Sequence, residues 1–298
     1  AVDYISAGSD TGDVTIEIKK GNTTGLSDED IEKLGDRPVY DFTVTVGNTQ
    51  ISELGGGCVT ISIPCTLRDG ENPNAVVVYY IDKSGKLLVV QGAYNEKTGT
   101  VEFTAYHFSV YAVGYNLISF SDVAGNAWYY DAVTFCAARE ITTGIGNGLF
   151  GPENTPTRGQ FIVMLMRAYG IEADENASDN FSDAGNTYYT GYHAAAKRLS
   201  IAAGVGNNMY APEKEITRQE MFALLYNALK VIGQLPESDS GKTLSDFSDA
   251  EEIDTWAVTA MTLLVETGTI SGSGERLTPK GTTTRAELAQ VLYNLLSK

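Results

Sequence analysis

Up to about residue 115, hydrophobic and polar positions alternate with a period of two. Val14-Thr15-Ile16-Glu17-Ile18, Phe42-Thr43-Val44-Thr45-Val46, Val59-Thr60-Ile61-Ser62-Ile63 and Val101-Glu102-Phe103-Thr104 all follow this pattern. β-Branched and aromatic residues at that period predict strands with one buried face. Val76-Val77-Val78-Tyr79-Tyr80-Ile81 is instead a continuous apolar run, which predicts a central strand covered on both faces. Asp82-Lys83-Ser84-Gly85-Lys86 then leads into Leu87-Leu88-Val89-Val90, a hairpin pattern with glycine where a positive φ is needed. Asn95-Glu96-Lys97-Thr98-Gly99 forms a second turn of this kind. Ser27 to Gly35 supplies an N-cap, an acidic first turn and a glycine stop, predicting one short helix between strands. Residues 1–116 are therefore expected to form a β-sandwich-like domain.

From about Phe120 the alternation gives way to a 3.6-residue period and an internal repeat. Phe120-Ser121-Asp122, Phe181-Ser182-Asp183 and Phe247-Ser248-Asp249 open three copies, 61 and 66 residues apart. Thr157-Arg158-Gly159-Gln160, Thr217-Arg218-Gln219-Glu220 and Thr284-Arg285-Ala286-Glu287 recur 60 and 67 residues apart. Between the two motifs each copy has an aromatic residue (Trp128, Tyr188, Trp256), a helical stretch and a Gly-rich loop opened by Gly144, Gly204 or Gly272. A proline then stands six residues before the arginine, at Pro152, Pro212 and Pro279. Five ordered features repeated three times define repeats at 117–178, 179–244 and 245–298.

Each repeat reads as two helices. The first is expected from about Trp128 to Ala138 and its equivalents, and the second begins at the Thr-Arg motif. Thr followed three residues later by Gln or Glu is a capping box, and Phe161, Met164, Leu165 and Ala168 form the apolar stripe behind it. Phe222, Leu225, Tyr226 and Leu229, then Leu288, Val291, Leu292 and Leu295, repeat that stripe. One two-helix unit cannot bury its stripe alone, so the three must pack together.

The box puts Arg158, Arg218 and Arg285 at the first helical position, where a cation opposes the helix dipole at a cost of ~0.3–1 kcal/mol. Tolerating that cost three times implies something negative close by. One reading is internal, the aspartate of Phe-Ser-Asp. The other is an external carboxylate or phosphate, for which a helix N-terminus with a guanidinium fork is a receptor. The remaining marks divide in the same way. Asp122, Asp183 and Asp249 either cap a turn or orient the arginine. Trp128, Tyr188 and Trp256 serve as core residues or as platforms for sugar rings. Gly144, Gly204 and Gly272 serve turn geometry first, and bare backbone for a sugar second.

Composition narrows the partners. Among 298 residues, 38 acidic against 21 basic side chains give a net charge of −17, and the pI is near 4.5. That field repels phosphate backbones, which excludes general nucleic-acid binding, and an anionic ligand must be held by a few well-placed cations. No apolar run is long enough to span a bilayer. Cys58 and Cys65 sit on one predicted strand, over ~20 Å apart and beyond disulfide reach. His107 and His193 have no Cys or His partner at zinc-ligand spacing, and Asn147 and Asn207 lack the ligand series of a calcium loop. No cofactor is expected.

The Phe-Ser-Asp motif, the aromatic residue, the Gly-rich loop, the aromatic-x-Pro element and the Thr-Arg-Ala-Glu motif together resemble the S-layer homology module, in three tandem copies over about residues 117–298. That resemblance implies an all-α, pseudo-threefold arrangement, a three-pronged spindle around a central helix bundle. It also implies extracellular placement at the bacterial cell wall or S-layer. The grooves between prongs would bind a secondary cell-wall polysaccharide, commonly one bearing a pyruvylated amino sugar. The family's recurrent ligand contact corresponds to Arg158, Arg218 and Arg285. A pyruvyl ketal carries a carboxylate, which a bidentate arginine holds with a charge-assisted bond of ~1.5–3 kcal/mol. Three departures stand out: Gly159 and Gln160 in repeat 1, Tyr188 in place of tryptophan in repeat 2, and Glu275-Arg276-Leu277-Thr278 in the shortened repeat 3 loop. At most two working grooves are therefore expected. Gly55-Gly56-Gly57-Cys58-Val59 and His107-Phe108-Ser109-Val110-Tyr111 resemble segments that precede such modules in surface proteins, so the β-domain is expected to be a spacer and a chain beginning at Ala1 the tail of something longer.

The leading expectation is a non-enzymatic anchor, in which Arg158→Ala or Arg218→Ala lowers polymer binding with little loss of stability. The rivals are a wall-active glycoside hydrolase, which needs two carboxylates across a cleft, and a self-assembling lattice or adhesin protein. Ser-His-Asp or Cys-His catalysis finds no support, because His107 reads as part of a strand and His193 as part of a helix with no nucleophile nearby.

Overall fold

The computed structural model describes residues 13–54 and 57–297. Gly55 and Gly56 of the Gly-rich motif, and the chain start at Ala1, lie outside the described residues. The chain divides into two compact units, one formed by residues up to Ser119 with Thr134–Glu140, the other by Phe120–Val133 and Ile141–Leu295.

The first unit has two antiparallel sheets. Strands β1 (Val14–Lys20), β2 (Val39–Val46), β5 (Val76–Ile81), β6 (Leu87–Val90) and β9 (Val110–Tyr115) form the larger in the order β1-β2-β9-β5-β6, with β3 (Thr49–Ile51) paired to β2. Strands β4 (Val59–Pro64), β7 (Gly92–Asn95) and β8 (Thr100–Ala105) form the smaller, in the order β4-β8-β7. Ile61, Ile63, Val101 and Phe103 from the smaller sheet pack against Phe42, Val76, Val78, Tyr111 and Val113 from the larger. Helix α1 (Asp28–Leu34), capped by Ser27, accounts for the short helical segment. Leu34 joins Val39, Val77, Tyr79 and Ala112 in a second cluster. The alternate residues of β5 thus enter different cores, which is why its sequence is apolar throughout.

Two local expectations change. Strand β1 alternates as a half-buried strand does, yet all seven of its residues are exposed, because it is the sheet edge and pairs only with β2. His107 lies before β9 in an isolated bridge to Glu53, with its ring stacked on Tyr111.

A buried cation anchors this unit. Arg139 is sealed from solvent and donates from Nε to the Gly92 carbonyl at 2.7 Å, from Nη1 to Asn74 at 2.8 Å and from Nη2 to Val76 at 2.9 Å. Its guanidinium lies 3.6 Å from the centre of the Phe135 ring. The three carbonyls belong to the start of β5, the turn before it and β7, so one side chain ties three chain segments together.

The second unit is helical: α2 (Tyr130–Ala138, counted with the first unit from Thr134 on), α3 (Arg158–Ala168), α4 (Thr190–Arg198), α5 (Arg218–Val231), α6 (Val258–Glu266) and α7 (Arg285–Leu296, its last residue counted with the first unit). Each repeat is built alike. The phenylalanine of Phe-Ser-Asp is buried, and the serine amide donates to a loop carbonyl of Gly148, Asn208 or Glu275. The aspartate accepts two backbone amides, from Phe150 and Gly151, from Tyr210 and Ala211, and from Leu277 and Thr278. Burial pushes these carboxyls up, but the paired amides win and hold all three below the usual carboxylate range. Gly144, Gly204 and Gly272 have φ of 78°, 78° and 67°. A Cβ at any of them would collide with the carbonyl of Leu149, Met209 or Arg276 and the ring of Phe120, Phe181 or Phe247.

His193 is the exception to this regularity. It is fully buried on α4 among Phe181, Tyr189 and Tyr210, and neither ring nitrogen has a hydrogen-bond partner. Val133 and Met261 occupy the corresponding places, four residues after Tyr129 and Ala257. Burial pushes the His193 pKa down from 6.5 to about 4, against the pull of Asp183.

Two predictions follow from buried groups. Arg139→Met leaves three carbonyls without their donor, and should lower the stability of the first unit by roughly 3 kcal/mol or more, read as a reduced urea midpoint for its transition. An unchanged midpoint rules out the anchoring role. For His193, the unfolded chain takes up the proton first as pH falls. Stability should be flat above pH 6.5 and fall by as much as ~1.4 kcal/mol per pH unit towards pH 4, on the order of 3 kcal/mol in all. The depressed carboxylates, Glu71 and Glu220 among them, begin to lose their contribution from about pH 5 downward, so the difference between the unaltered chain and a His193 variant isolates the histidine. Thermal melts of H193M, which copies repeat 3, should show a flatter slope between pH 6.5 and 4.5, and an identical slope refutes the assignment.

Candidate functional site

The second helix of every repeat starts on the next repeat. A helix leaves its first four amides without intrahelical acceptors, and here all four are satisfied in the same manner three times. In α3, the Thr157 amide donates to Gln160 Oε1 and the Gln160 amide to Thr157 Oγ1, a reciprocal capping box. The amides between them, Arg158 and Gly159, donate to the carbonyls of Lys214 at 2.9 Å and Pro212 at 2.8 Å in repeat 2. In α5, Arg218 and Gln219 donate to Gly281 and Pro279 in repeat 3, at 2.8 and 2.9 Å. In α7, Arg285 and Ala286 return to Asn154 and Pro152 in repeat 1, at 2.9 and 3.0 Å. The three repeats form a closed cycle of backbone hydrogen bonds.

The arginine side chains follow the same path. Nε of Arg158, Arg218 and Arg285 donates to the carbonyls of Tyr210, Leu277 and Phe150 at 2.9, 2.9 and 2.8 Å. Arg158 also lies 4.6 Å from the Tyr210 ring centre and Arg285 lies 4.9 Å from that of Phe150. Leu277 offers no ring, and Arg218 lies over Phe222 at 5.5 Å and is only half-buried. The negative groups in contact with the arginines are carbonyl oxygens of the following repeat and, for Arg158, the Glu220 carboxylate, while Asp249 and Asp122 act on Arg218 and Arg285 at longer range. The Phe-Ser-Asp aspartates make no ion pair with these arginines and commit both oxygens to loop amides. The helix N-terminus is no anion receptor either, since its amides are already taken. At 5% and 3% exposure, Arg158 and Arg285 are also structural, so removing Arg158 costs stability, contrary to the sequence-based expectation for Arg158→Ala.

Open grooves nevertheless run beside two of them. A cavity of 410 Å³ is lined by Thr142, Gly144, Gln160, Arg167, Tyr188 and Arg285, among others. Another of 480 Å³ is lined by Arg158, Gly204, Glu220, Asn227, Asp254 and Trp256, among others. Each groove therefore takes its arginine from the preceding repeat in the cycle, its Gly-rich loop and helix from one repeat, and its aromatic residue from the following one. Tyr188 and Trp256 are 61% and 55% exposed, and Trp128 is 62% exposed, so the aromatics are surface residues, not core.

The grooves differ in charge. Arg158 Nη1 is paired with Glu220 Oε1 at 2.9 Å. Burial pushes the Glu220 carboxyl up, but the Thr217 amide and Arg158 hold it below the ordinary range. In the other groove the corresponding residue is Gln160. Arg285 donates from Nη2 to Thr142 Oγ1 at 3.1 Å and makes no ion pair among the described residues. Sequence reasoning singled out the arginines, aromatics and glycines but missed Thr142, Arg167 and Asp254. None of the three lies in a repeated motif, so no signal marked them. Among the described residues, no group of three or more His, Cys, Asp or Glu is placed to hold a metal ion.

Comparison with known proteins bears on these junctions. The family described as "S-layer homology domain" matches residues 119–162, 180–222 and 246–289. An amylopullulanase of Thermoanaerobacterium thermosulfurigenes is 32% identical over 265 residues, 87% of this chain and 14% of that protein. The exoglucanase XynX of Acetivibrio thermocellus is 32% identical over 183 residues, 61% of this chain and 16% of its own length. The S-layer protein sap of Bacillus anthracis is 29% identical over 174 residues, 58% of this chain and 21% of its own. The chain thus spans about a fifth or less of these relatives. The cycle of helix starts is the work of three tandem S-layer homology domains, and the chain is a surface protein that carries them at the bacterial cell wall and S-layer.

Proposed function

We propose that the chain is a non-catalytic anchor that binds an anionic secondary cell-wall polysaccharide in the grooves between successive repeats, with the three modules arranged as a pseudo-threefold, three-pronged spindle around a central helix bundle. The observation that carries this reading is the pairing, in two grooves, of a guanidinium held rigid by the neighbouring repeat with an aromatic side chain more than half exposed. A sugar ring stacks on such an aromatic face, and a carboxylate on the sugar, as in a pyruvyl ketal, meets the guanidinium. The groove residues are Arg285, Tyr188 and Gly144 in one case and Arg158, Trp256 and Gly204 in the other. Arg218, Trp128 and Gly272 are their counterparts at the third junction. Asp122, Asp183 and Asp249 act one step back, by fixing the loops whose carbonyls hold the arginines. The repeat boundaries at 117–178, 179–244 and 245–298, with a spacer domain before them, are part of the same proposal.

The relatives support an anchor over a hydrolase. Proteins named as an amylopullulanase, an exoglucanase and an S-layer protein have this region in common over a small part of their length. A region common to proteins with such different names favours a role independent of any one reaction, as attachment at the wall is.

Retention on purified wall polymer tests the reading. Tyr188→Ala and Trp256→Ala remove exposed side chains, so the melting temperature should move by no more than about 2 °C, while retention falls about tenfold for the pair. Polymer stripped of pyruvyl groups should be held less well than native polymer by the unaltered chain. Undiminished retention in the double variant, or no retention by the unaltered chain, overturns the proposal.

A further inference from the structure

We propose that the two grooves are different subsites: the Arg285 groove takes the sugar that carries the carboxylate, and the Arg158 groove takes an uncharged sugar of the same polymer. The inference rests on the anchoring function above. Two arginines, Arg285 and Arg167, and no carboxylate line the first groove, a formal charge of +2. One arginine and two carboxylates, Arg158, Glu220 and Asp254, line the second, and Lys214 and Lys280 pair with those carboxylates at 3.3 and 3.4 Å.

The difference originates at one position, the third residue of the second helix. Glu220 reaches Arg158 at 2.9 Å with both partners largely buried, at 6% and 12% side-chain exposure. Two opposite charges at that separation, shielded from water, compensate one another, and an incoming carboxylate gains little from the arginine. Both acids are themselves anchored. Glu220 Oε2 accepts the Thr217 amide at 2.8 Å and Asp254 Oδ2 accepts Gln219 Nε2 at 2.7 Å. Anchored carboxylates beside an exposed tryptophan suit a neutral sugar, whose hydroxyl groups donate to them while the ring stacks.

At the first groove Gln160 serves the capping box equally well, through its amide oxygen, but brings no charge. No carboxylate of the described residues lies within ion-pair distance of the Arg285 guanidinium, on which Asp122 acts only at longer range. Gln160 is the specificity-determining residue of the anionic subsite, and it acts by omission of a carboxylate.

The two residues exchange roles in a direct test. Both Gln160→Glu and Glu220→Gln preserve the capping box, since each copies the other repeat, so neither should unfold the chain. The probes are a methyl glycoside of an N-acetylhexosamine carrying a 4,6-pyruvyl ketal, and the same glycoside without the ketal. Their affinities are measured by isothermal titration of the full chain. Gln160→Glu should lower the preference for the ketal about tenfold, and Glu220→Gln should raise it by adding a second ketal site. If neither substitution moves that ratio while wall polymer is still retained, the division of subsites is wrong and the anchoring function stands. If the unaltered chain retains no wall polymer, the anchoring function itself falls.

Discussion

The first amides of a helix must find acceptors, and in this protein they find them on another repeat. The capping box satisfies the outer two donors within the helix, but the two between them, at the arginine and the residue after it, depend on carbonyls of the following loop. A single repeat therefore ends in buried, unsatisfied donors, each costing roughly 1–3 kcal/mol when left alone. Closing the cycle through α7 back to Asn154 and Pro152 removes that deficit at every junction. Three repeats close the cycle here, and the apolar stripes on α3, α5 and α7 call for neighbouring repeats in the same way, through packing.

The position of the arginine follows from that constraint. A guanidinium at the first helical residue is unfavourable towards the helix dipole, but a further carbonyl of the loop that accepts the helix amides, that of Tyr210, Leu277 or Phe150, accepts its Nε. The loop carrying those carbonyls is held by the aspartate of Phe-Ser-Asp, which grips two successive loop amides, and by a glycine with no room for a side chain. One motif thus shapes the loop and the next reads it. The arginine is fixed before any ligand arrives, so little side-chain entropy remains to be lost on binding.

Much of this was legible in the sequence, because periodicity and capping chemistry are local. The three repeats, the helix starts at Thr157, Thr217 and Thr284, and the double-sided burial of β5 all depend on neighbours a few residues away. What failed were statements about long-range partners. No pattern reveals that Arg158 meets Tyr210, or that Arg139 is consumed by carbonyls of the β-unit, since those pairings appear only when the chain has closed on itself. Strand β1 misleads for a related reason: alternation reports what a face is capable of burying, and an edge strand leaves that capacity unused. The Gln160 departure was visible, but only as an amide in place of an acid. Its electrostatic meaning required knowing that Arg285, 125 positions on, lines the same groove.

The global charge sets the terms on which these grooves work. A chain of net charge −17 repels an anionic polymer at long range, but at physiological ionic strength that repulsion fades within about 8 Å. Inside that distance the local balance decides, and a groove lined by Arg285 and Arg167 is positive whatever the sum over the molecule. Recognition of this kind yields slow encounter and short-range selectivity instead of electrostatic steering. Under the proposed function, retention depends on several grooves engaging one polymer chain, where each bound sugar raises the effective concentration of the next. Such avidity requires fixed spacing between grooves, and the closed cycle of helix starts supplies it, because no junction can open without breaking hydrogen bonds in the repeats on both sides.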